Sequence, residues 1–161
     1  MNKPNISSPQ STALVVLRVL IGWHFLYEGV IKMYNPAWTA KGYLLSAELF
    51  APFFRWLASD SMISIVDTVN IVALVAVGLS LMLGLRVKIG SVIGMLLLAM
   101  YYLAHPPFGA TPQGPVEGSY WIVNKNLIEI AALYVVYLFP VQGAFNLERL
   151  FSRKSSPAVQ P

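Results

Sequence analysis

Four ionisable side chains recur along one face of the first apolar stretch: Arg18, His24, Glu28 and Lys32. At 100° per residue they fall within an arc of about 120°, and Glu28 stands four residues before Lys32, the favourable order for a helical ion pair. A row of imidazole, carboxylate and ammonium can shuttle protons and hydrogen-bond a small polar ligand. Further such groups follow: Asp67 and Asn70, then Tyr101, Tyr102 and His105, then Asn124, Lys125, Asn126 and Glu129. Ionisable groups within apolar spans are costly and by default mark function. A plainer reading stands beside this one, with Lys32, Lys125 and Glu129 as interfacial anchors, Glu28 in a structural salt bridge to Lys32 or Arg18, and the tyrosines in an aromatic belt. His24 and His105 are the chain's two histidines and could serve as axial haem ligands, but no haem motif accompanies them.

The elements that must position these groups follow from composition. The chain has 161 residues, 57% hydrophobic and only 11% charged, without cysteine, where soluble domains carry roughly 25% charge. So few ionic groups cannot build a polar shell, and the expectation is an integral membrane protein. Four apolar stretches of about 20 residues run from about Thr12 to Lys32, Ile63 to Leu85, Val87 to Ala104 and Asn126 to Phe145. Each is long enough as a helix to cross a bilayer core of roughly 30 Å, and runs such as Ser91–Met100 lack the alternation of a barrel strand. The fold class expected is all-α, a four-helix membrane bundle.

Lys3, Arg86, Lys88, Arg149, Arg153 and Lys154 fall on one side of such a bundle, against Lys41 and Arg55 in the first loop. The positive-inside bias then makes both termini cytoplasmic. Residues 1–11 are read as a cytoplasmic segment, 12–145 as the membrane domain and 146–161 as a cytoplasmic tail. Arg18 interrupts the first apolar run and no small-residue cleavage pattern follows, so that run is expected to be retained. The first outer loop is rich in aromatic residues and carries Pro52. It predicts two short interfacial helices, lying on the outer surface or folded back as a lid. The connection from Pro106-Pro107 to Tyr120 is expected to be irregular. Gly90 and Gly94, with Ser80 and Gly84, are small-residue pairs that let helices approach closely; they would permit a homo-oligomer.

With this topology the polar groups converge in the outer half of the bundle, and Arg18 alone lies deep in the aliphatic inner half, roughly 9 Å from its cytoplasmic end. No phosphate-binding loop, zinc-protease motif or nucleophile elbow is present. No basic block is dense enough for nucleic acid, and no metal site is expected.

The run from Arg18 to Lys32 resembles the RxxxGxxFxxxGxxK pattern that opens DoxX-type membrane proteins, with Arg18, Gly22, Phe25, Gly29 and Lys32 at the pattern positions. Asn35-Pro36-Ala37-Trp38 and Gly42-Tyr43-Leu44 resemble the first outer loop of the DoxD branch, Gly78 to Leu85 the end of its second helix, and Asn124 to Glu129 the start of its fourth. The resemblance spans most of residues 12–145. It implies a four-helix fold in a prokaryotic inner (plasma) membrane and a kinship with the small membrane subunit of thiosulfate:quinone oxidoreductase.

The function expected is a membrane subunit of a quinone-linked oxidoreductase. Glu28, Lys32 and Glu129 are the candidate catalytic groups. Arg18, His24, Asp67, Tyr101, His105 and Asn126 are the candidate binding groups, around a quinone headgroup or small substrate whose tail stays among aliphatic side chains. The expected partners are membrane lipid and a separate extracytoplasmic or membrane oxidoreductase. The competing reading is a non-enzymatic scaffold for a partner protein or a small-solute carrier.

Overall fold

The computed structural model describes residues 7–108 and 119–140. They form six helices: α1 (Ser8–Tyr34), α2 (Lys41–Leu45), α3 (Ala51–Leu57), α4 (Ile63–Leu83), α5 (Val87–Ala104) and α6 (Lys125–Leu138). Two short strands, β1 (Ser119–Tyr120) and β2 (Val123–Asn124), form an antiparallel hairpin. Helices α1, α4 and α5 are each long and apolar enough to cross a membrane.

Local chemistry fixes the helix ends. Helix α1 begins before the Thr12 expected from hydropathy because the Ser7 N–H donates to Gln10 Oε1 at 3.0 Å, occupying a donor that a helix start leaves unpaired. It ends before Asn35-Pro36, where the residue preceding proline is pushed out of helical geometry. Helix α4 stops at Gly84, whose φ of 70° suits a residue without Cβ. Pro52 sits in the first turn of α3, where a missing N–H costs little. The Leu127 N–H donates to Asn124 Oδ1 at 3.1 Å, capping α6. The fourth expected span ran to Phe145; the described helix ends at Leu138, and residues 141–161, the expected tail among them, lie outside the described residues.

Helices α1 and α4 are antiparallel neighbours joined by glycine. A Cβ on Gly22 would stand 2.9 Å from the Met82 backbone, one on Gly78 2.5 Å from that of Leu26, and one on Gly29 3.0 Å from that of Val75. The turn into α5 is tied by Ser80, whose Oγ donates to the Leu85 carbonyl at 2.6 Å; Gly90 of α5 packs directly on that hydroxyl. Gly94 faces Leu133 of α6, Phe25 of α1 and Val77 of α4, at 3.0–3.3 Å from its Cβ position. Gly90, Gly94 and Ser80 thus make contacts within the chain, and Gly84 serves the turn that ends α4.

Phe25, Val77, Leu81, Leu98 and Leu133 are almost wholly buried in the core these four helices share. The outward faces are apolar as well: Val16, Leu20 and Trp23 on α1, Val69 and Val72 on α4 and Leu96 on α5 are all more than half exposed. Apolar side chains directed both inward and outward are what helices surrounded by hydrocarbon require.

The loop carrying α2 and α3 folds back over the end of the helices where α1 finishes. A smaller core of Leu44, Ala47, Phe54, Ala58 and Ala104 holds it there. The Ala40 N–H donates to Asp67 Oδ1 at 2.8 Å and the Glu48 N–H to the Ala104 carbonyl at 2.9 Å. Of the two loop placements the sequence left open, this is the folded-back one. The connection after His105 is irregular as far as Phe108, but Ser119–Asn124 forms the hairpin, with Trp121 at a φ of 58° in its turn.

Candidate functional site

A cavity of about 290 Å³ lies where α1 ends, α4 begins, α5 ends and α6 begins, beneath the folded-back loop. Its floor is apolar, made by Phe25, Leu74 and Leu98. Its polar wall takes His24, Glu28 and Lys32 from α1, Asn70 from α4, Tyr101 from α5, and Lys125 and Asn126 from α6. Trp38, Thr39, Ala40 and Tyr43 roof it.

The i,i+4 spacing on α1 does what the sequence suggested. Lys32 Nζ donates to Glu28 Oε2 at 2.7 Å and lies 5.5 Å from the centroid of the Trp38 ring, so its charge is held between a carboxylate and an aromatic face. His24 Nδ1 lies 2.8 and 3.0 Å from the two oxygens of Glu129, joining α1 to α6. The His24 and Glu28 side chains remain 41% and 38% exposed while Lys32 and Glu129 keep 17% and 13%, so the rim on the α1 side is open and the interior partners are enclosed. Lys125 lines the cavity with no ion pair among the described residues. Two carboxylates therefore face an imidazole and two ammonium groups, a nearly balanced charge that suits a neutral polar ligand better than an anion.

Asn70 and the tyrosines make the opposite wall. Asn70 Nδ2 donates to the Tyr101 hydroxyl at 2.6 Å, and the Tyr43 hydroxyl donates to the Tyr101 carbonyl at 3.0 Å. Asn70 Oδ1 is buried and has no partner among the described residues, an acceptor that a ligand donor would satisfy. Burial pushes the Tyr43 hydroxyl up to about 12, and the neighbouring Tyr101 adds to the rise, so Tyr43 stays a neutral donor at physiological pH.

The nine residues singled out in the sequence divide. Glu28, Lys32, His24, Tyr101 and Asn126 line the cavity. Glu129 stands behind the lining and orients His24. Asp67 is spent on the Ala40 amide, so it shapes the roof from outside the cavity. His105 is one layer away, its Nε2 3.0 Å from Ser46 Oγ and its ring 4.2 Å from that of Tyr43. The two histidines are thus engaged in separate clusters and do not form an axial pair. Arg18 is buried, 3% exposed, six residues before His24 and therefore about 9 Å further along α1, outside the cavity lining.

Sequence reasoning passed over Trp38 and Tyr43, whose aromatic character also fits a headgroup belt, and left Asn70 and Lys125 out of the binding set. The signal for Asn70 was present: an amide in an otherwise apolar helix needs a reason. Nothing local in the sequence brings Trp38 or Tyr43 over the cavity, since that depends on the long-range Asp67–Ala40 bond.

No family model matches this chain, and no curated protein or solved structure matches it.

Proposed function

We propose that the chain is a multi-pass protein of a prokaryotic inner membrane, a four-helix bundle with cytoplasmic termini, that binds a quinone headgroup as part of a quinone-linked oxidoreductase. The observation that carries the reading is the cavity itself: an apolar floor, a rim of neutralised ion pairs and an unsatisfied amide acceptor, at one polar end of apolar helices. The resemblance of residues 12–145 to DoxX-type proteins supports it.

The residues fit such a ring. Lys32, Asn126 and the His24 ring are donors for its carbonyl oxygens, and Asn70 Oδ1 is an acceptor for the hydroxyl of the reduced form. A bound quinone supplies the capacity to take up two electrons and two protons. Glu28 and the His24–Glu129 pair hold and release protons at the open rim, through Glu28 Oε1 and His24 Nε2, the atoms that their ion pairs leave free. Lys32 holds the Glu28 carboxylate in place and cancels its charge.

No dinucleotide-binding motif occurs in this sequence, and the electrons in this reading come from an outside donor, a partner oxidoreductase or a small substrate. The exposed Phe50, Phe53 and Trp56 of the loop offer an apolar surface beside the cavity for such a partner or for the headgroup layer. Solute transport is disfavoured by the core of Phe25, Val77 and Leu133, which among the described residues lies between the cavity and Arg18.

Quinone binding and quinone reduction in native membranes test the reading, comparing the parent chain with Glu28→Gln and Lys32→Ala. Each variant is expected to lose about tenfold or more, equivalent to about 1.4 kcal/mol. Undiminished binding and rate in both would end it.

A further inference from the structure

Behind the Tyr43–Tyr101–Asn70 wall lies a second cavity of about 330 Å³, between the folded-back loop and helices α4 and α5. Its lining is almost entirely carbon, with Leu44, Phe54 and Leu57 above and Val66, Leu97 and Met100 below. It shares Ala40, Tyr43, Asn70 and Tyr101 with the polar cavity, so the two chambers adjoin along those four residues. At its far side stand Ile65 and Val69 of α4, 56% and 57% exposed, on the outward apolar face of that helix.

We propose that the polar cavity takes a two-part ligand: a polar ring in the first chamber and an apolar tail in the second, entering from the lipid at Ile65 and Val69. The inference rests on the quinone reading and adds where the tail lies, in the chamber between the folded-back loop and helices α4 and α5, together with its path. A carbon-lined chamber offers dispersion contacts to an alkyl chain and no hydrogen bond to water. An apolar cavity of about 150 Å³ accepts one benzene ring; the second chamber, about twice that size, takes roughly ten carbons. The two entrances differ in character, an ionisable rim on α1 for protons and a carbon-lined mouth on α4 for the tail. The shared wall holds the atoms that read the junction of ring and tail, the Tyr43 and Tyr101 hydroxyls and Asn70 Oδ1.

The full chain in phosphatidylcholine nanodiscs, with 2,3-dimethoxy-5-methyl-1,4-benzoquinone and its 6-decyl derivative as probes, tests this through quenching of tryptophan emission. Val69→Trp and Ile65→Trp obstruct the mouth from exposed positions, where a larger side chain leaves the core untouched. The decyl probe is expected to bind at least tenfold tighter than the bare ring, with that ratio falling at least fivefold in both variants while the affinity of the bare ring is unchanged. A ratio that survives both variants overturns the tail chamber and leaves the ring site standing. Failure of both probes to bind the parent chain overturns the quinone reading and the tail chamber with it. A photoreactive diazirine at the end of the decyl chain gives a second readout. Label on Leu97–Ala104 supports the path, and label confined to α1 or α6 refutes it.

Discussion

Gly78 offers the sharpest test of the packing that holds the cavity together. A Cβ there would stand 2.5 Å from the Leu26 backbone nitrogen, 2.6 Å from its Cβ and 2.7 Å from its Cα. Non-bonded carbon atoms settle at about 3.5–4.0 Å, so Gly78→Ala forces α1 and α4 apart by about 1 Å, because backbone atoms cannot rotate away. A gap of that size forfeits a quarter to a half of each dispersion contact along the seam, and overpacking of this kind costs about 1–3 kcal/mol. For a chain of this length that corresponds to a fall of about 2–12 °C in Tm. Gly42→Ala is the matched control: nothing lies within 4 Å of its Cβ position in α2, and the change is expected to leave stability unchanged or raise it by about 0.4–1 kcal/mol through the unfolded chain. Both are measured by thermal unfolding in one detergent, following helical circular dichroism. Equal Tm values for Gly78→Ala and the parent chain would refute the close approach of α1 to α4, and with it the alignment of His24, Glu28 and Lys32 opposite Asn70.

Two further outcomes follow from the roof of the cavity. Asp67→Ala removes the acceptor of the Ala40 N–H; leaving a part-buried amide unpaired costs about 1–3 kcal/mol, and the loop between α1 and α4 is expected to be cleaved faster under limited proteolysis than in the parent chain. Tyr43 holds its proton up to about pH 12 in the folded state against 10.0 for the ordinary phenol. The folded form therefore binds more protons than the unfolded one between those values, and the stability this contributes is complete below pH 10 and lost as pH rises toward 12. Spectrophotometric titration is expected to show one late-ionising phenol fewer in Tyr43→Phe than in the parent chain; an unchanged number would place that phenol elsewhere.

Much of this arrangement is legible in the residues, for reasons that differ from element to element. Runs of apolar residues near 20 in length locate α1, α4 and α5, because crossing a bilayer demands length and hydropathy together. The i,i+4 step from Glu28 to Lys32 yields their ion pair because one helix fixes that geometry by itself. The meeting of polar groups at one end follows from antiparallel order, since successive apolar spans that each cross a bilayer run in opposite directions. Features that need two distant segments escape: nothing local assigns Asp67 to the Ala40 amide, or sets Tyr43 against Tyr101. Gly90 and Gly94 carry a signal for close approach without saying to what, and only the fold spends them on Ser80 and on the Phe25–Val77–Leu133 junction. The start of α1 at Ser8 escaped because a hydropathy profile does not register the Ser7–Gln10 hydrogen bond.

The tight meeting of Phe25, Val77 and Leu133 around Gly94 has one more consequence. Among the described residues it sets a layer of carbon between the ionisable rim and the end of the helices that carries Gly84 and Arg86, so a charge displaced in the cavity is felt at that end across a low-dielectric gap rather than through water.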